Sequence, residues 1–249
     1  MRPLPLSYKM KVKVMHMIPK YKTHLANRQN YGGTRSQEDI KFIVLHYTAN
    51  DGDTDENNGQ YFAENVVNAS AHYFVDDDSI TLSVPEANIA WAVGGPKWKD
   101  CAATGGGKMY GQITNVNSLS VEMCDTLRDG TIHATEQTMA NTILLVKDLM
   151  RKYNIDIDHV YRHFDVNGKH CPTYLMDEAA WAAFKERLKE RDTMPVYHTI
   201  NEVPEWAKPT IEKLIAHGSL KGDSKGDLNL SYDLLRMLVI NDREGLYGE

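Results

Sequence analysis

Short runs of apolar residues predict the strands of a sheet. The segments 42–48, 69–75 and 118–124 are rich in Val, Ile, Leu, Phe and Tyr, and polar or glycine-containing stretches bound each of them. Such runs are typical of strands that are buried inside a sheet. A fourth strand is predicted at 80–84, after a turn of three aspartates. The segment YGGTRS at 31–36 predicts a turn ahead of the first strand.

Other segments carry apolar residues at a helical period. Between 136 and 153 they recur at Met139, Ile143, Val146 and Met150, and Thr135 is a suitable N-cap. Further helices are predicted at 59–67, 176–189, 204–217 and 231–241. Strands that alternate with helices indicate an α/β fold, here with a mixed central β-sheet flanked by helices.

The same pattern divides the chain into three parts. Residues 1–22 predict an irregular leader, residues 23–192 the main domain, and residues 193–249 a small helical C-terminal module that begins near a proline. Two amphipathic helices joined by a glycine-rich turn bury little surface alone. We therefore expect the module to dock on the main domain, on a second copy of itself, or on a ligand.

Composition narrows the class of protein. The chain has 249 residues, 42% of them hydrophobic, and a net charge of -6. Its basic residues form no block, which argues against nucleic-acid binding. The N-terminal stretch lacks the continuous apolar core of a secretion signal or a membrane span, so no membrane insertion is expected. The chain has three cysteines, Cys101, Cys124 and Cys171. A low and odd number argues against a disulfide scaffold and favours a protein made in a reducing compartment.

The densest group of potential metal ligands lies in the segment VYRHFDVNGKHCP at 160–172. His163 and Cys171 are residue types that zinc prefers, and Gly168 allows the chain to fold back between them. The best third ligand is His46, in the apolar strand 42–48. Alone, His46 would more often be a packed histidine, but the three residues together predict a Zn²⁺ site with a fourth position left for water.

These segments resemble the type 2 N-acetylmuramoyl-L-alanine amidases, a family that includes phage endolysins and is related to the peptidoglycan recognition proteins. The resemblance rests on residues 45–49, 70–74, 121–123 and 162–172 and covers about 29–189. It implies zinc-dependent hydrolysis of the amide between N-acetylmuramic acid and L-alanine, with His46, His163 and Cys171 as metal ligands. The tail, at 203–208, 227–231 and 238–243, resembles the small wall-binding tails of clostridial-type phage endolysins.

Two further residues have the chemistry that amide hydrolysis needs. Glu122 is an acid in an otherwise apolar strand, so burial should raise its pKa and make it a proton acceptor. Its alternative role is that of a structural ion-pair partner. Lys169 shares a loop with Cys171 and is predicted to stabilise the oxyanion of the transition state.

The division of labour between Glu122 and His72 stays open. Some members of the resembled family use a tyrosine from the second strand, and its place falls here at Ala71 or His72, so His72 is the second candidate proton acceptor. Trp91 is a candidate substrate-binding residue because an aromatic face suits a sugar ring, although core packing would explain it as well. Tyr47 and Thr48, which follow the ligand His46, complete the predicted substrate-binding set.

The resemblance also implies partners and a place of action. The expected partner is bacterial peptidoglycan, and the C-terminal module is a candidate homodimer contact. The layout predicts a phage or prophage endolysin, made in the host cytoplasm without a signal peptide and released to the wall by a holin or on lysis. The alternatives are a non-catalytic peptidoglycan-binding protein of the same fold, against which Cys171 argues, and a host autolysin or sporulation amidase.

Overall fold

The computed structural model describes residues 19–190 and 196–248, which fall into two compact units divided after residue 190. The division lies two residues before the boundary that the sequence predicts. In the larger unit the strands are β1 (Lys20–Thr23), β2 (Tyr31–Thr34), β3 (Phe42–Asp51), β4 (Tyr73–Val75), β5 (Ser79–Leu82), β6 (Asn88–Ala90), β7 (Ser118–Asp125) and β8 (Val160–Arg162). Its helices are α1 (Asp55–Glu64), α2 (Cys101–Thr104), α3 (Glu136–Tyr153), α4 (His163–Asn167) and α5 (Glu178–Lys189).

Six of these strands form the mixed sheet that the sequence predicts. Their order is β1-β5-β4-β7-β3-β8. Strands β4, β7, β3 and β8 run parallel to one another, whereas β5 is antiparallel to β4 and parallel to the edge strand β1. Strands β2 and β6 form a separate antiparallel pair. The predicted fold class is thus confirmed.

Side-chain alternation along β3 defines the two faces of the sheet. Ile43 and Leu45 are fully buried in the largest apolar cluster, which also contains residues of α3 and α5. Val44 points the other way and packs with Val166 of α4. His46 is two residues beyond Val44 and therefore lies on the α4 face.

Several predicted bounds are wrong, and tertiary pairing explains the differences. The segment 31–36 is not a turn, because Tyr31–Thr34 pairs with β6 as strand β2. Lys20–Thr23 lies partly within the predicted leader but forms β1 on the edge of the main sheet; residues 1–18 of that leader are outside the described residues. The second predicted strand is shortened to Tyr73–Val75, and the first helix begins earlier, at Asp55, where Thr54 caps it.

The smaller unit contains the two predicted helices. They are α6 (Lys208–Ala216) and α7 (Tyr232–Arg243), accompanied by the short antiparallel strands β9 (Val196–Tyr197) and β10 (Leu230–Ser231). Its core is one apolar cluster, formed by Val203, Ala207, Ile211, Leu230, Leu235 and Val239. Within the part of the chain that the structure describes, no helix is long and apolar enough to cross a membrane.

Candidate active site

The three predicted metal ligands converge on the α4 face of the sheet. Strands β3 and β8 are parallel neighbours with Leu45 opposite Arg162, so the next residues, His46 and His163, come side by side. Their ring centroids are 4.6 Å apart. Cys171 returns to the same point, and one donor atom from each of the three residues lies within 4.8 Å of the others.

The donor atoms of this cluster fit a metal such as zinc. All three residues are buried, yet Nε2 of His46 and both ring nitrogens of His163 have no hydrogen-bond partner among the described residues. Buried polar atoms rarely stay unpaired in folded proteins, so these nitrogens are suited to an additional ligand. Two neutral imidazoles and a thiol form a donor set that zinc prefers.

Burial sets the protonation states of the cluster. It lowers the pKa of His163 to about 3, with a smaller contribution from the charge of Lys169. It also holds the pKa of His46 well below the ordinary value, which leaves both imidazoles neutral. Burial raises the pKa of the Cys171 thiol, so binding of a metal would displace a proton from sulfur.

Hydrogen bonds fix the chain between the two ligands His163 and Cys171. The sequence predicts a single tight loop here, but the structure contains the short helix α4 followed by Gly168 in the left-handed region, with φ of 89°. The N–H of Phe164 donates to the carbonyl of Cys171 at 2.9 Å. Arg162 donates to both carboxylate oxygens of Asp165, at 2.7 and 2.9 Å, and thereby braces the first turn. The ligand positions are therefore built into the backbone.

The long segment 94–117 lies over α4. Its backbone N–H groups at Trp98, Gly107 and Met109 donate to carbonyls of α4 at 2.8 to 2.9 Å. Asn167 returns a hydrogen bond to the carbonyl of Gly94 at 3.3 Å. The sequence predicts a functional rim from the length of this segment alone; the structure shows that it also holds the ligand-bearing helix in place.

Three residues beside α4 were not predicted as site residues. Trp98 is 44% exposed, and its ring lies 5.4 Å from the ring of His170. His170 is fixed in turn by Asp100, whose Oδ2 is 2.8 Å from Nε2. Trp98 and Asp100 have no regular spacing in the chain, and only the unusual length of the segment 94–117 could have directed attention to them. His170 lies within the segment 160–172, beside the predicted ligand Cys171.

Glu122 lies directly beside the cluster. It is the register partner of His46 in the β3–β7 pair, and its Oε1 is 3.9 Å from Nδ1 of that histidine. Its side chain is 20% exposed, and Oε2 is buried without a hydrogen-bond partner among the described residues. Burial raises the pKa of Glu122 to about 7, although the charge of Lys169 opposes the shift. A carboxyl with this pKa can both accept and return a proton near neutral pH.

Lys169 is the cation whose charge affects the pKa values of the cluster. Its side chain is exposed, and its positive charge acts on the pKa values of His46, His163, Glu122 and Cys171. Its own backbone N–H donates to Oδ1 of Asn167 at 3.0 Å, which fixes the start of the final loop. The lysine is thus exposed and close enough to act electrostatically on the cluster.

His72 occupies a different environment. It is fully buried, and burial lowers its pKa to about 3. The N–H of Ser120 donates to its Nδ1 at 3.0 Å, while Nε2 lies 2.8 Å from Arg35 and 3.2 Å from the carbonyl oxygen of Asn88. Both nitrogens are engaged in contacts that join neighbouring segments. The geometry therefore favours Glu122 over His72 as the proton acceptor.

The predicted substrate-binding residues differ in their relation to the cluster. The backbone N–H of Tyr47 interacts with the sulfur of Cys171, and Thr173 donates to the Tyr47 hydroxyl at 2.6 Å. Thr48 follows in β3 and interacts with Asp53. Trp91 is half-buried.

The known contacts of Trp91 lie elsewhere. Its backbone N–H donates to the Ser70 hydroxyl at 3.0 Å, and its indole nitrogen lies beside Gly32. None of these contacts joins Trp91 to the metal-ligand cluster.

The fold and the cluster define an α/β protein with a buried candidate metal centre of two histidines and a cysteine at one face of its sheet. Comparison with known proteins gives the family: the N-acetylmuramoyl-L-alanine amidase profile matches residues 36–174, more than half of the chain. The chain belongs to that family, as the resemblance predicted.

Individual relatives agree with the assignment. A probable N-acetylmuramoyl-L-alanine amidase of Bacillus licheniformis is 34% identical over 154 residues, a match that covers 60% of this chain and 41% of the relative. The structure of PlyL is similar with a TM-score of 0.54 at 28% identity, covering 71% of this chain and all of that one (100%). A mutant endolysin from Bacillus subtilis is similar with the same TM-score at 26% identity, covering 69% and 99%.

Proposed function

We propose that this protein is a zinc-dependent peptidoglycan hydrolase that cleaves the amide between N-acetylmuramic acid and the L-alanine of the stem peptide. The observation that carries the proposal is the buried cluster of His46, His163 and Cys171, in which Nε2 of His46 and both ring nitrogens of His163 lack partners in the described structure. Glu122 lies 3.9 Å from this cluster. The names of the family and of the relatives supply the bond that is cut.

The ligand set determines what the metal would contribute. Held by His46, His163 and Cys171, zinc supplies a Lewis acid and lowers the pKa of water at its open position. Since both imidazoles are already neutral, only the Cys171 thiol must lose a proton on loading.

Glu122 performs the proton transfers in this proposal. It accepts a proton from the attacking water and returns it to the nitrogen of the L-alanine as the C–N bond breaks. A pKa of about 7 allows both steps near neutral pH. The same burial that raises the pKa keeps the carboxyl close to the reacting atoms.

Lys169 stabilises the charge that develops on the carbonyl oxygen of the amide. It is exposed and needs no rearrangement of the core to reach a bound substrate. A preorganised donor at such a position typically contributes about two to three orders of magnitude to the rate.

The biological role that fits best is lysis of the bacterial wall by an endolysin. The similarity to a B. subtilis endolysin and to PlyL supports this role, and the predicted release to the wall through a holin belongs to the same proposal. A host autolysin would use the same chemistry. A holin gene beside this gene would support the phage role, whereas a neighbourhood of sporulation genes would contradict it.

The decisive experiment is mass spectrometry of purified peptidoglycan incubated with the protein, with and without a zinc chelator. We expect free stem peptides with a new L-alanine amine and glycan with free lactyl carboxylates, only in the sample without chelator. Restoring zinc should restore the products. Bound but uncut fragments would instead support the non-catalytic binding protein, and cleavage that survives full metal removal would exclude the metal centre.

A further inference from the structure

The smaller unit contains an open groove of about 410 Å³ that the proposed amidase chemistry does not use. Six residues line it: Trp206, Tyr232, Arg236, Val239, Ile240 and Arg243. This volume lies within the range of small-molecule sites in proteins. The groove therefore has room for a ligand of the size of one or two sugar rings.

One face of α7 forms the groove wall. Tyr232, Arg236, Ile240 and Arg243 are spaced by four, four and three residues, which places them along one side of the helix. The core of the unit uses the adjoining side of α7, through Leu235 and Val239, and Val239 also lines the groove. Ile240 is 54% exposed, so this face is not needed to hold the unit together.

An aromatic corner closes one end of the groove. The rings of Trp206 and Tyr232 meet edge to face, with centroids 5.9 Å apart and an interplanar angle of 79°. Trp206 nevertheless remains 42% exposed. Each ring fixes the other, so an apolar face is preorganised at the surface, and such a face suits the C–H side of a sugar ring.

Two arginines supply the positive charge of the groove. Arg236 and Arg243 are exposed, and neither lies within ion-pair distance of a carboxylate in the ranges that the structure describes. Seven residues along a helix separate their Cα atoms by about 10 Å. The planar guanidinium matches a carboxylate with two parallel hydrogen bonds. The ligand should therefore combine a sugar ring with at least one carboxylate.

We propose that this groove binds peptidoglycan glycan whose muramic acid carries a free lactyl carboxylate, the product of the amidase reaction. This inference rests on the proposed function. Hydrolysis adds the elements of water across the amide: the lactyl carbonyl carbon gains the oxygen and becomes a carboxylate, while the C–N bond breaks and the L-alanine nitrogen, which carries one hydrogen in the amide, gains a second and becomes an amine. Each cut thus creates the sugar acid that the aromatic corner and the arginines fit.

The same observations disfavour two other occupants. A second copy seated on this face by a two-fold axis would bring its own Arg236 and Arg243 against the first pair, and like charges repel. An acyclic polyol phosphate would satisfy the guanidinium groups but would leave the Trp206 and Tyr232 corner without a ring to contact. Both occupants are outcomes that the experiment distinguishes.

The test uses the full-length protein, stripped of metal with a chelator so that it cannot cut. Its binding is measured to glycan strands from which a separate amidase has removed the stem peptides, to the same strands with stem peptides intact, and to N-acetylglucosamine tetramer, which has no carboxylate. We expect the stripped glycan to bind at least about tenfold more tightly than either comparison ligand. Equal binding to stripped and intact strands overturns the proposal.

Variants locate the site. Arg236→Gln with Arg243→Gln should reduce binding to stripped glycan to the level of the tetramer, because the guanidinium–carboxylate pairs are lost. Trp206→Ala should weaken the binding of both the stripped glycan and the tetramer, and Trp206→Phe should retain part of the affinity. Lys221→Gln, an exposed cation of the same unit, is the matched control and should change nothing. Unchanged binding in the double arginine variant overturns the assignment to this groove.

The remaining outcomes separate this inference from the proposed function. Competition by inorganic phosphate but not by free N-acetylmuramic acid would identify a phosphate site, and conversion of a dimer to a monomer by the arginine changes would identify a second copy; both overturn the proposal. Cleavage of soluble muropeptides is measured in parallel with zinc present. If the protein cleaves muropeptides but does not bind stripped glycan preferentially, only this inference is overturned. If it binds stripped glycan preferentially but does not cleave muropeptides, the proposed amidase activity is contradicted, whereas the proposed ligand of the groove is supported.

Discussion

The sulfur of Cys171 lies 3.8 Å from Nδ1 of His46, although 125 residues separate them in the chain. Strand β3 fixes the histidine, and the hydrogen bond between Phe164 and the Cys171 carbonyl fixes the cysteine. His163 completes the group from the first turn of α4. The geometry of the candidate ligands thus depends on one strand register and one loop closure.

Replacement of Cys171 by serine should remove the metal. A hydroxyl is a much poorer zinc ligand than a thiolate, so we expect zinc affinity to fall by at least about 100-fold. Zinc content after dialysis, measured by elemental mass spectrometry, tests this. Cys124→Ala is the control, since Cys124 is equally buried but lies outside the cluster. Equal zinc loss in both variants would point to general unfolding.

Replacement of Lys169 by alanine should separate catalysis from metal binding. The variant loses the cation that stabilises the oxyanion, and kcat should fall about 100- to 1,000-fold. Zinc content should stay unchanged because Lys169 is exposed and is not a ligand. Lys108→Ala, another exposed lysine of the larger unit, should keep full activity. A normal kcat in Lys169→Ala would show that Lys169 is a solvated surface residue without a catalytic role.

Replacement of Glu122 by glutamine keeps the shape of the side chain but removes the proton acceptor. We expect kcat to fall about 100- to 10,000-fold with zinc retained. His72→Gln provides the comparison, because both nitrogens of His72 hold structural contacts. That variant should lower the melting temperature while the folded fraction stays active. The reverse pattern, an inactive but stable His72 variant, would make His72 the proton acceptor.

The sequence predicts which three residues cluster because few residue types can form a metal site. His46, His163 and Cys171 stand out by chemistry alone, and the strand around His46 is confirmed as β3. The main strands and helices are also confirmed, since the apolar period records which face each element buries. These features depend on residues that are close together in the chain, so the sequence alone can predict them.

Other features depend on contacts between distant segments. The environment of His72 is set largely by Arg35, 37 residues away, and no local pattern records that contact. Strand β2 forms through its pairing with the distant strand β6. Its glycines, considered without that pairing, predict a turn instead. Trp98 likewise gains its place from a hydrogen bond to α4 and from its ring contact with His170.

Gly168 offers a test of the loop between the ligands. It has φ of 89°, and a Cβ at this position would lie 2.1 Å from the sulfur of Cys101. Gly168→Ala should therefore shift the segment that carries Lys169 and Cys171 and reduce both zinc affinity and kcat. Gly130→Ala is a matched control: φ is also positive, at 83°, but nothing lies within 4 Å of the added carbon. If Gly130→Ala reduced zinc affinity and kcat as much as Gly168→Ala, backbone strain alone would explain the loss.

Asp55 gives the larger unit a predictable dependence of stability on pH. The carboxylate accepts hydrogen bonds from Thr81 and Ser79 at 2.7 and 3.0 Å at the start of α1. Burial raises its pKa from 3.8 to about 6, and the neighbouring Asp76 adds to the shift while the Thr81 hydroxyl opposes it. The native state therefore holds this proton more tightly than the unfolded chain.

The sign of the effect follows from that difference in proton binding. As pH rises from about 4 to about 6, the native state loses a proton that the unfolded chain has already released, so the Asp55 contribution to the free energy of unfolding falls. Asp55→Asn removes this term, and the stability of the variant relative to the parent should increase with pH over that interval. Urea unfolding of both metal-free proteins at a series of pH values measures the difference, in which the groups that the two share cancel. A difference that stays constant, or that decreases with pH, would show that Asp55 is ionised throughout in the folded protein.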